Sequence, residues 1–292
     1  MSACNLCPRK CGIDRATGEI GFCNSGAMPV VARAAAHFGE EPCISGSRGS
    51  GTVFFSGCNL HCVFCQNSEI SRGHTGREVS IERLAEIFNE LENLGVHNLN
   101  LVTATHFADS IVAALRLAKP KIPVVWNCSG YETIETLDML APFVQVFMPD
   151  LKYSLSKNAE RFSAAPDYPE IAPAAIEHMF RLAGKCVFDS DGFLQKGVLI
   201  RHLILPNGLE DALDVIDFVS KFPKGEVFFS LMSQFTPLAD KEKYPELSRK
   251  ISLSEHERAL RYMKKAGIES GYSQDLESAT DEMIPSFDLT GI

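Results

Sequence analysis

From residue 52 onward the chain alternates short apolar runs with amphipathic stretches, and this alternation restricts its fold more than any other feature. The runs TVFFS (52–56), LNLVTA (99–104), IPVVWN (122–127), FVQVFM (143–148), GVLIRHLIL (197–205) and EVFFSLM (226–232) are nearly continuous in apolar residues. That is the pattern of strands buried on both faces. Between the first two, Ile81, Leu84, Ile87, Phe88, Leu91 and Leu94 recur at helical spacing, with Ser80 placed to cap and Gly95 to stop the helix. Further helices are expected over 108–119, ending before Pro120, over 133–140 and over 211–222. Residues 155–184 read as helical but interrupted by Pro166, Pro169 and Pro173. Ser254 and Glu257 match a capping box for a helix over 255–266, closed by Gly267.

Strands alternating with helices predict a parallel sheet covered on its outer face. Six repeats fall short of the eight that close a barrel. The expected fold is therefore α/β, an open (β/α)6 partial TIM barrel, with a flat doubly wound sheet as the other geometry the pattern allows. In both, chemistry gathers at the C-terminal ends of the strands. Residues 1–50 differ: they carry five cysteines and no sustained periodicity, and SGSRGSG (45–51) reads as a flexible join. The expected division is an irregular Cys-rich segment over 1–50, the barrel over 51–267 and an acidic tail over 268–292.

A net charge of −9 argues against non-specific binding to nucleic acid, which needs a basic footprint. No run of about 18 apolar residues predicts a membrane-spanning helix, and MSACNLCPRKCG lacks the apolar core of a secretory signal. Ten cysteines in such a chain point to a reducing, cytoplasmic location, where grouped thiols bind metal or do redox chemistry more often than they form disulfides.

The densest group is FFSGCNLHCVFCQN (54–67), with Cys58, Cys62 and Cys65 spaced C-x3-C-x2-C on the loop after the first barrel strand. A structural zinc site wants four ligands. Three thiolates suit a [4Fe–4S] cluster with one iron left open. Ordinary buried thiols, or zinc completed by a distant fourth ligand, are the alternatives. Cys128 and Cys186 read as plain buried thiols.

The three-cysteine loop, with the aromatic Phe64 before its last thiol, resembles the radical S-adenosylmethionine (SAM) superfamily. The resemblance implies that the open iron binds the amino and carboxylate groups of SAM. An electron then breaks the sulfonium bond, giving methionine and a 5′-deoxyadenosyl radical. Over roughly residues 50–235 the strand ends are similar to those of the pyruvate formate-lyase activating enzymes. Where that family has a Gly-Gly-Glu-type motif meeting the SAM amino group, this chain has TATHF, with Ala104, Thr105 and His106. A D-T-N-G-like turn is replaced by NCSG, with Asn127 and Ser129. The family's M-x-D-x-K is matched by MPDLK, with Met148, Asp150 and Lys152. The resemblance implies that Lys152 pairs with the SAM carboxylate, and that Asp150 orients it or helps hold a cation. It also implies a ribose-contacting group near Arg201 and His202. Strand faces alternate, so only one of the two points inward, and His202 is the expected one. Structural roles compete at each position: a solvated Asp150–Lys152 pair, a core His202, a helix-capping His106.

The same resemblance implies a flavodoxin- or ferredoxin-type electron donor and a hydrogen atom taken from a glycine of a protein substrate. A small molecule or another peptide as substrate is one alternative, and a non-enzymatic zinc scaffold is another. Only residues 66–79 separate Cys65 from Ser80, too few for the ferredoxin-like insertion of some activases. CNLCPRKCGIDRATGEIGFC supplies Cys4, Cys7, Cys11 and Cys23. These suit a tetrahedral zinc or a second iron–sulfur cluster, or stand as unligated thiols. A metal would explain how a segment without a core stays folded, and uncharacterised activase-like proteins carry a similar C-x2-C-P-R-x-C lead.

Overall fold

A computed structural model describes residues 3–73, 75–276 and 285–292. In chain order its strands are β1 (Val30–His37), β2 (Ser50–Phe55), β3 (Arg77–Glu78), β4 (Leu99–Val102), β5 (Val124–Cys128), β6 (Val146–Pro149), β7 (Val187–Phe188), β8 (Leu194–Leu203), β9 (Phe228–Met232) and β10 (Gly271–Ser273). Its helices are α1 (Pro42–Ser45), α2 (Ser68–Ser71), α3 (Ile81–Asn93), α4 (Ala108–Ala118), α5 (Ile134–Leu140), α6 (Ser156–Ser163), α7 (Tyr168–Ala183), α8 (Leu209–Val219) and α9 (Leu253–Lys265).

The six expected strands are β2, β4, β5, β6, β8 and β9, and they lie side by side in chain order, all parallel. β10 extends the sheet in parallel beyond β9, and β1 closes the other flank antiparallel to β2. The two ends of the sheet are β10 and β3, which do not pair with each other, so the barrel is open. Helices cover the outer face. Leu84, Phe88, Ile111, Leu115, Leu137, Ile176 and Ile216 pack there on Phe55, Leu101, Trp126, Phe147, Val198 and Ile200. Burying one Leu, Ile or Phe side chain in such a layer is worth about 1.5–3 kcal/mol.

The inner face holds two smaller apolar clusters. Val125, Val146, Met148 and Leu199 form a floor with Cys43 and Ile44 of α1. Ala32, Phe54, Ile70 and Val102 meet Phe287 near the rim. Phe287 is held there because residues 289–290 run along β1: Leu289 N–H donates to the Ala32 carbonyl and Ala34 N–H to the Thr290 carbonyl. The expected acidic tail includes 277–284, which lie outside the described residues.

Several local expectations are corrected. β1 lies in the segment read as irregular. VVARAAAH carries too little apolar periodicity to declare a strand by itself and takes its pairing from β2. SGSRGSG is packed rather than free, since a Cβ on Gly46 would stand 2.1 Å from the Phe193 ring. The capping box belongs to Ser252 and Glu255, one S-x-x-E frame earlier than Ser254 and Glu257. That frame turns His256 and Ala259 inward. Pro169 sits in the first turn of α7, where no amide is needed, and Pro173 is carried inside the helix.

Candidate functional site

The loop from Ser56 to Asn67 leaves β2 at its C-terminal end and is held by main-chain bonds to its surroundings. Ser56 N–H donates to the Val30 carbonyl, Gly57 N–H to Ile70, and Cys65 N–H to Cys62. Gly57 has a φ of +86°, and a Cβ there would lie 2.4 Å from the Cys23 carbonyl oxygen. Only glycine permits that approach. Cys58, Cys62 and Cys65 all line one cavity of about 220 Å³ at the strand ends.

Donors are aimed at the sulfurs. Leu60 N–H reaches Cys58 Sγ at 3.3 Å and the Ser163 hydroxyl reaches Cys62 Sγ at 3.0 Å. Burial pushes the Cys58 thiol up to about 12, with the neighbouring Cys62 adding to the effect. Cys65 is raised by the same two causes, against the pull of Lys152. Among the described residues, no three Cys, His, Asp or Glu side chains converge on one point closely enough for a single ion. The donor set, three thiols of one loop, is what a cube with one open iron takes, whereas a structural zinc site takes four ligands. Phe64 is 7% exposed, lines the cavity and packs on Phe162 and Phe235.

The opposite wall is ionic. Strand alternation carries Met148, Asp150 and Lys152 to the inner face, Met148 into the floor and the other two into the cavity. Lys152 Nζ lies 2.6 Å from Asp150 Oδ2, and Arg201 Nε lies 2.9 Å from Asp150 Oδ1. Burial would raise Asp150, but Arg201 and Lys152 outweigh it and hold the carboxyl below its usual range. Burial also works against the Lys152 ammonium, and Asp150 more than offsets it. The alternative of a solvated pair gives way to a largely buried network. Asn127 and Ser129 line the same cavity; Asn127 Oδ1 accepts from Arg201 at 2.7 Å and the Ser129 hydroxyl donates to Asn59 Oδ1 at 3.3 Å. The Tyr168 hydroxyl lies 2.8 Å from both the Ser129 and Asp150 carbonyls and accepts Lys152 N–H, tying two strand ends together.

Two expectations about facing are corrected. Arg201, not His202, points into the cavity. His202 has the parity of Val198 and Ile200 and is buried toward the helices, where its Nδ1 donates to the Leu151 carbonyl, 2.7 Å away. Burial lowers its pKa, as for a core histidine. The side chains of Ala104, Thr105 and His106 do not line the cavity. Thr105 donates to Glu132 Oε1 at 2.7 Å, and His106 Nε2 lies 2.8 Å from the Ser56 carbonyl. Burial pushes His106 down to about 4, so it is neutral at pH 7. Thr103 lines the cavity instead, at a left-handed φ of +56° rare for a β-branched residue. Held strain of this kind gathers at functional sites.

Among the other lining residues, Cys128 and Glu40 carry chemistry that the sequence reading did not place here. Cys128, expected as a plain core thiol, borders the cavity. Glu40, from the turn after β1, reaches into the barrel: Oε2 pairs with Arg201 at 2.9 Å, and Oε1 accepts from Asn100 and Asn127 at 3.0 Å each. Nothing local announces it, because its partners lie 60 to 161 residues away.

The profile of the Radical SAM superfamily matches residues 52–162, which contain the three-cysteine loop. An uncharacterised protein of Methanocaldococcus jannaschii is 30% identical over 278 residues, covering 92% of this chain and 76% of that protein. The chain belongs to the radical SAM superfamily. Membership implies a [4Fe–4S] cluster and SAM as cofactors. Among solved structures, Streptococcus suis SuiB bound to its precursor peptide SuiA matches with a TM-score of 0.51 at 15% identity, over 76% of this chain and 48% of SuiB. The chain thus spans about half of SuiB, and the likeness is one of fold. A domain of the pyruvate-formate lyase-activating enzyme from Bacteroides vulgatus matches over 67% of this chain and 91% of that domain, at 12% identity and a TM-score of 0.36. No helix among the described residues is long and apolar enough to cross a membrane.

Proposed function

We propose that this radical SAM protein carries its cluster on Cys58, Cys62 and Cys65 and takes a hydrogen atom from a protein substrate, in the manner of a glycyl-radical activating enzyme. The observation that carries the reading is that all three thiols border one cavity with Lys152, Asp150, Asn127 and Ser129. When bound, the cluster supplies an electron and SAM supplies the 5′-deoxyadenosyl radical. Everything else falls to the chain.

The three thiols bind the irons and must shed their protons on loading, since Cys58 and Cys65 are held protonated by burial. Lys152 offers its ammonium to the SAM carboxylate. Asp150 keeps that ammonium charged and aimed. Asn127 and Ser129 offer neutral polar contacts, and Phe64 supplies an apolar wall that excludes water. Thr103, at the end of β4, meets SAM in place of the side chains of Ala104, Thr105 and His106. Arg201 fixes Asp150 and Asn127 from the floor. A flavodoxin- or ferredoxin-type carrier is the proposed electron source.

The protein-substrate version draws on the MPDLK and NCSG strand ends and on the open barrel. The fold neighbour SuiB with its precursor peptide is in keeping with an open mouth that admits a peptide. The test is anaerobic SAM cleavage by the reconstituted protein. Cys62→Ala leaves two protein ligands and is expected to abolish 5′-deoxyadenosine formation. Full retention in that variant would refute the ligand assignment. A glycyl-radical EPR doublet on a co-purifying partner identifies the protein substrate; deuterium transfer from a small molecule to 5′-deoxyadenosine would overturn that part.

A further inference from the structure

Cys4, Cys7, Cys11 and Cys23 do not line the cavity; the other end of the chain does. Pro285 borders it together with Cys58, Cys62, Cys65 and Lys152. Two residues on, Phe287 is buried against Ala32, Phe54, Ile70 and Val102, its ring 5.6 Å from that of Phe54. Phe54, Ile70 and Val102 also line the cavity, so the seat of Phe287 is a side pocket of the same space.

Beyond Phe287 the chain is held through its backbone. Leu289 N–H donates to the Ala32 carbonyl at 3.1 Å, and Ala34 N–H donates to the Thr290 carbonyl at 2.8 Å. These bonds continue the edge of β1 on which β3 pairs with Val30 and Val31. Arg33 donates to the Ser286 carbonyl at 3.2 Å and pairs with Asp288 at 2.8 Å. Main-chain bonds along a sheet edge ask only for an extended chain, and pockets for its side chains supply the selectivity.

Residues 289–290 alone would serve to cover a bare edge. The same segment also sets a ring in a side pocket and a proline on the cavity wall. Its charge pairing with Arg33 lies at the surface, where solvent screens it. A terminal segment tied in this way can open while the barrel stays folded.

We propose that residues 285–292 occupy the seat of the protein substrate. An extended segment of that substrate replaces them on the edge of β1, with an apolar side chain in the Phe287 pocket. The register then sets the residue two places ahead of that anchor on the cavity wall, where Pro285 now stands. The inference rests on the reading of this cavity as the site of hydrogen abstraction. Its test uses cluster-free protein, so the two fail separately.

The test alkylates Cys58, Cys62 and Cys65 in the cluster-free full chain and follows each by mass spectrometry. Leu289→Pro removes the N–H that the Ala32 carbonyl accepts, and proline cannot take the φ of +65° found there. The segment should lift, and the three thiols should react about tenfold faster than in the unaltered chain. A synthetic peptide of residues 285–292 should bind the Leu289→Pro chain saturably and restore the slow rate; the same peptide with Phe287→Ala should do neither. A peptide that keeps only the Phe and the Asp, with alanine elsewhere, should bind within about tenfold of the first. With a diazirine side chain in place of Pro285, the first peptide should crosslink to cavity-lining residues. Equal thiol rates in the two chains, or a peptide that does not bind, would overturn the seat. Binding of the chain's own sequence alone would make it a private latch and overturn the substrate role, and crosslinks only outside the cavity would overturn the register. Hydrogen exchange on the unaltered chain decides the matter even if Leu289→Pro misfolds. The Ala34 and Leu289 amides should exchange about a hundredfold faster than those of β5, and equal rates would make the segment a fixed wall and refute its replacement. Iron loading and SAM cleavage by the unaltered chain test the site itself, whatever the peptides do.

Discussion

Replacing Arg201 by Met tests the ionic wall of the cavity directly. Arg201 makes three bonds, to Asp150 at 2.9 Å, Glu40 at 2.9 Å and Asn127 at 2.7 Å. The side chains of Arg201, Glu40 and Asp150 are only 13%, 10% and 19% exposed. Methionine matches much of the length but none of the charge. It leaves Asp150 with Lys152 alone, and Glu40 with two amide donors and no cation. Removing one partner of a buried ion pair costs about 3–5 kcal/mol, chiefly because a desolvated charge is left behind. At about 2–4 °C per kcal/mol for a chain near this size, the midpoint should fall by about 6–20 °C. Adding Glu40→Gln removes one stranded charge yet keeps the carbonyl oxygen that Asn100 and Asn127 need. The double variant should recover about 1–3 kcal/mol relative to additivity. Because Asp150 is held below its usual range, its contribution is fully present above about pH 4 and is lost as pH falls through the folded-state value. The cost of Arg201→Met should therefore shrink in acid. Anaerobic urea denaturation of the wild type, both single variants and the double variant reads all of this. An Arg201→Met protein within about 0.5 kcal/mol of wild type, or a strictly additive double variant, would show that the network carries no net stability.

Two further substitutions probe the surroundings of the site. Gly57→Ala forces a Cβ to within 2.4 Å of the Cys23 carbonyl at a left-handed φ; about 1–3 kcal/mol of strain should loosen residues 3–29, read as faster limited proteolysis there, and an unchanged cleavage pattern would contradict the docking. Glu132 is pushed up to about 8 by burial, against the Thr105 hydroxyl that lowers it. A carboxyl raised on folding contributes stability below its unfolded value of about 4.3, and that contribution is lost as pH rises toward the folded value. Stability of the cluster-free protein should thus decline between about pH 5 and 8, and Glu132→Gln should flatten the decline. An identical slope in the variant would mean Glu132 is already ionised in the fold.

Six parallel strands, the helices between them and a three-thiol loop at a strand end are all legible in residue order. Each rests on a period or a spacing short enough for neighbours to declare. The parity of Met148, Asp150 and Lys152 is of the same kind: once a strand is granted, the three share a face. Parity alone does not say which face is concave. On β8 it separated Arg201 from His202 but could not choose between them, and the curvature of the whole sheet sent Arg201 inward. The backbone turn at Thr103 likewise took Ala104, Thr105 and His106 out of the cavity.

What the amino-acid order determined by itself was the repeat that builds the barrel and the thiols that could hold a cluster at its rim. The tertiary structure alone decided what faces them: Glu40 enters from a segment with no periodicity, 161 residues from its partner Arg201. The reason is physical. Helix and strand faces follow from interactions a few residues apart, whereas a buried charge finds its counter-charge only where the chain's distant parts are brought together.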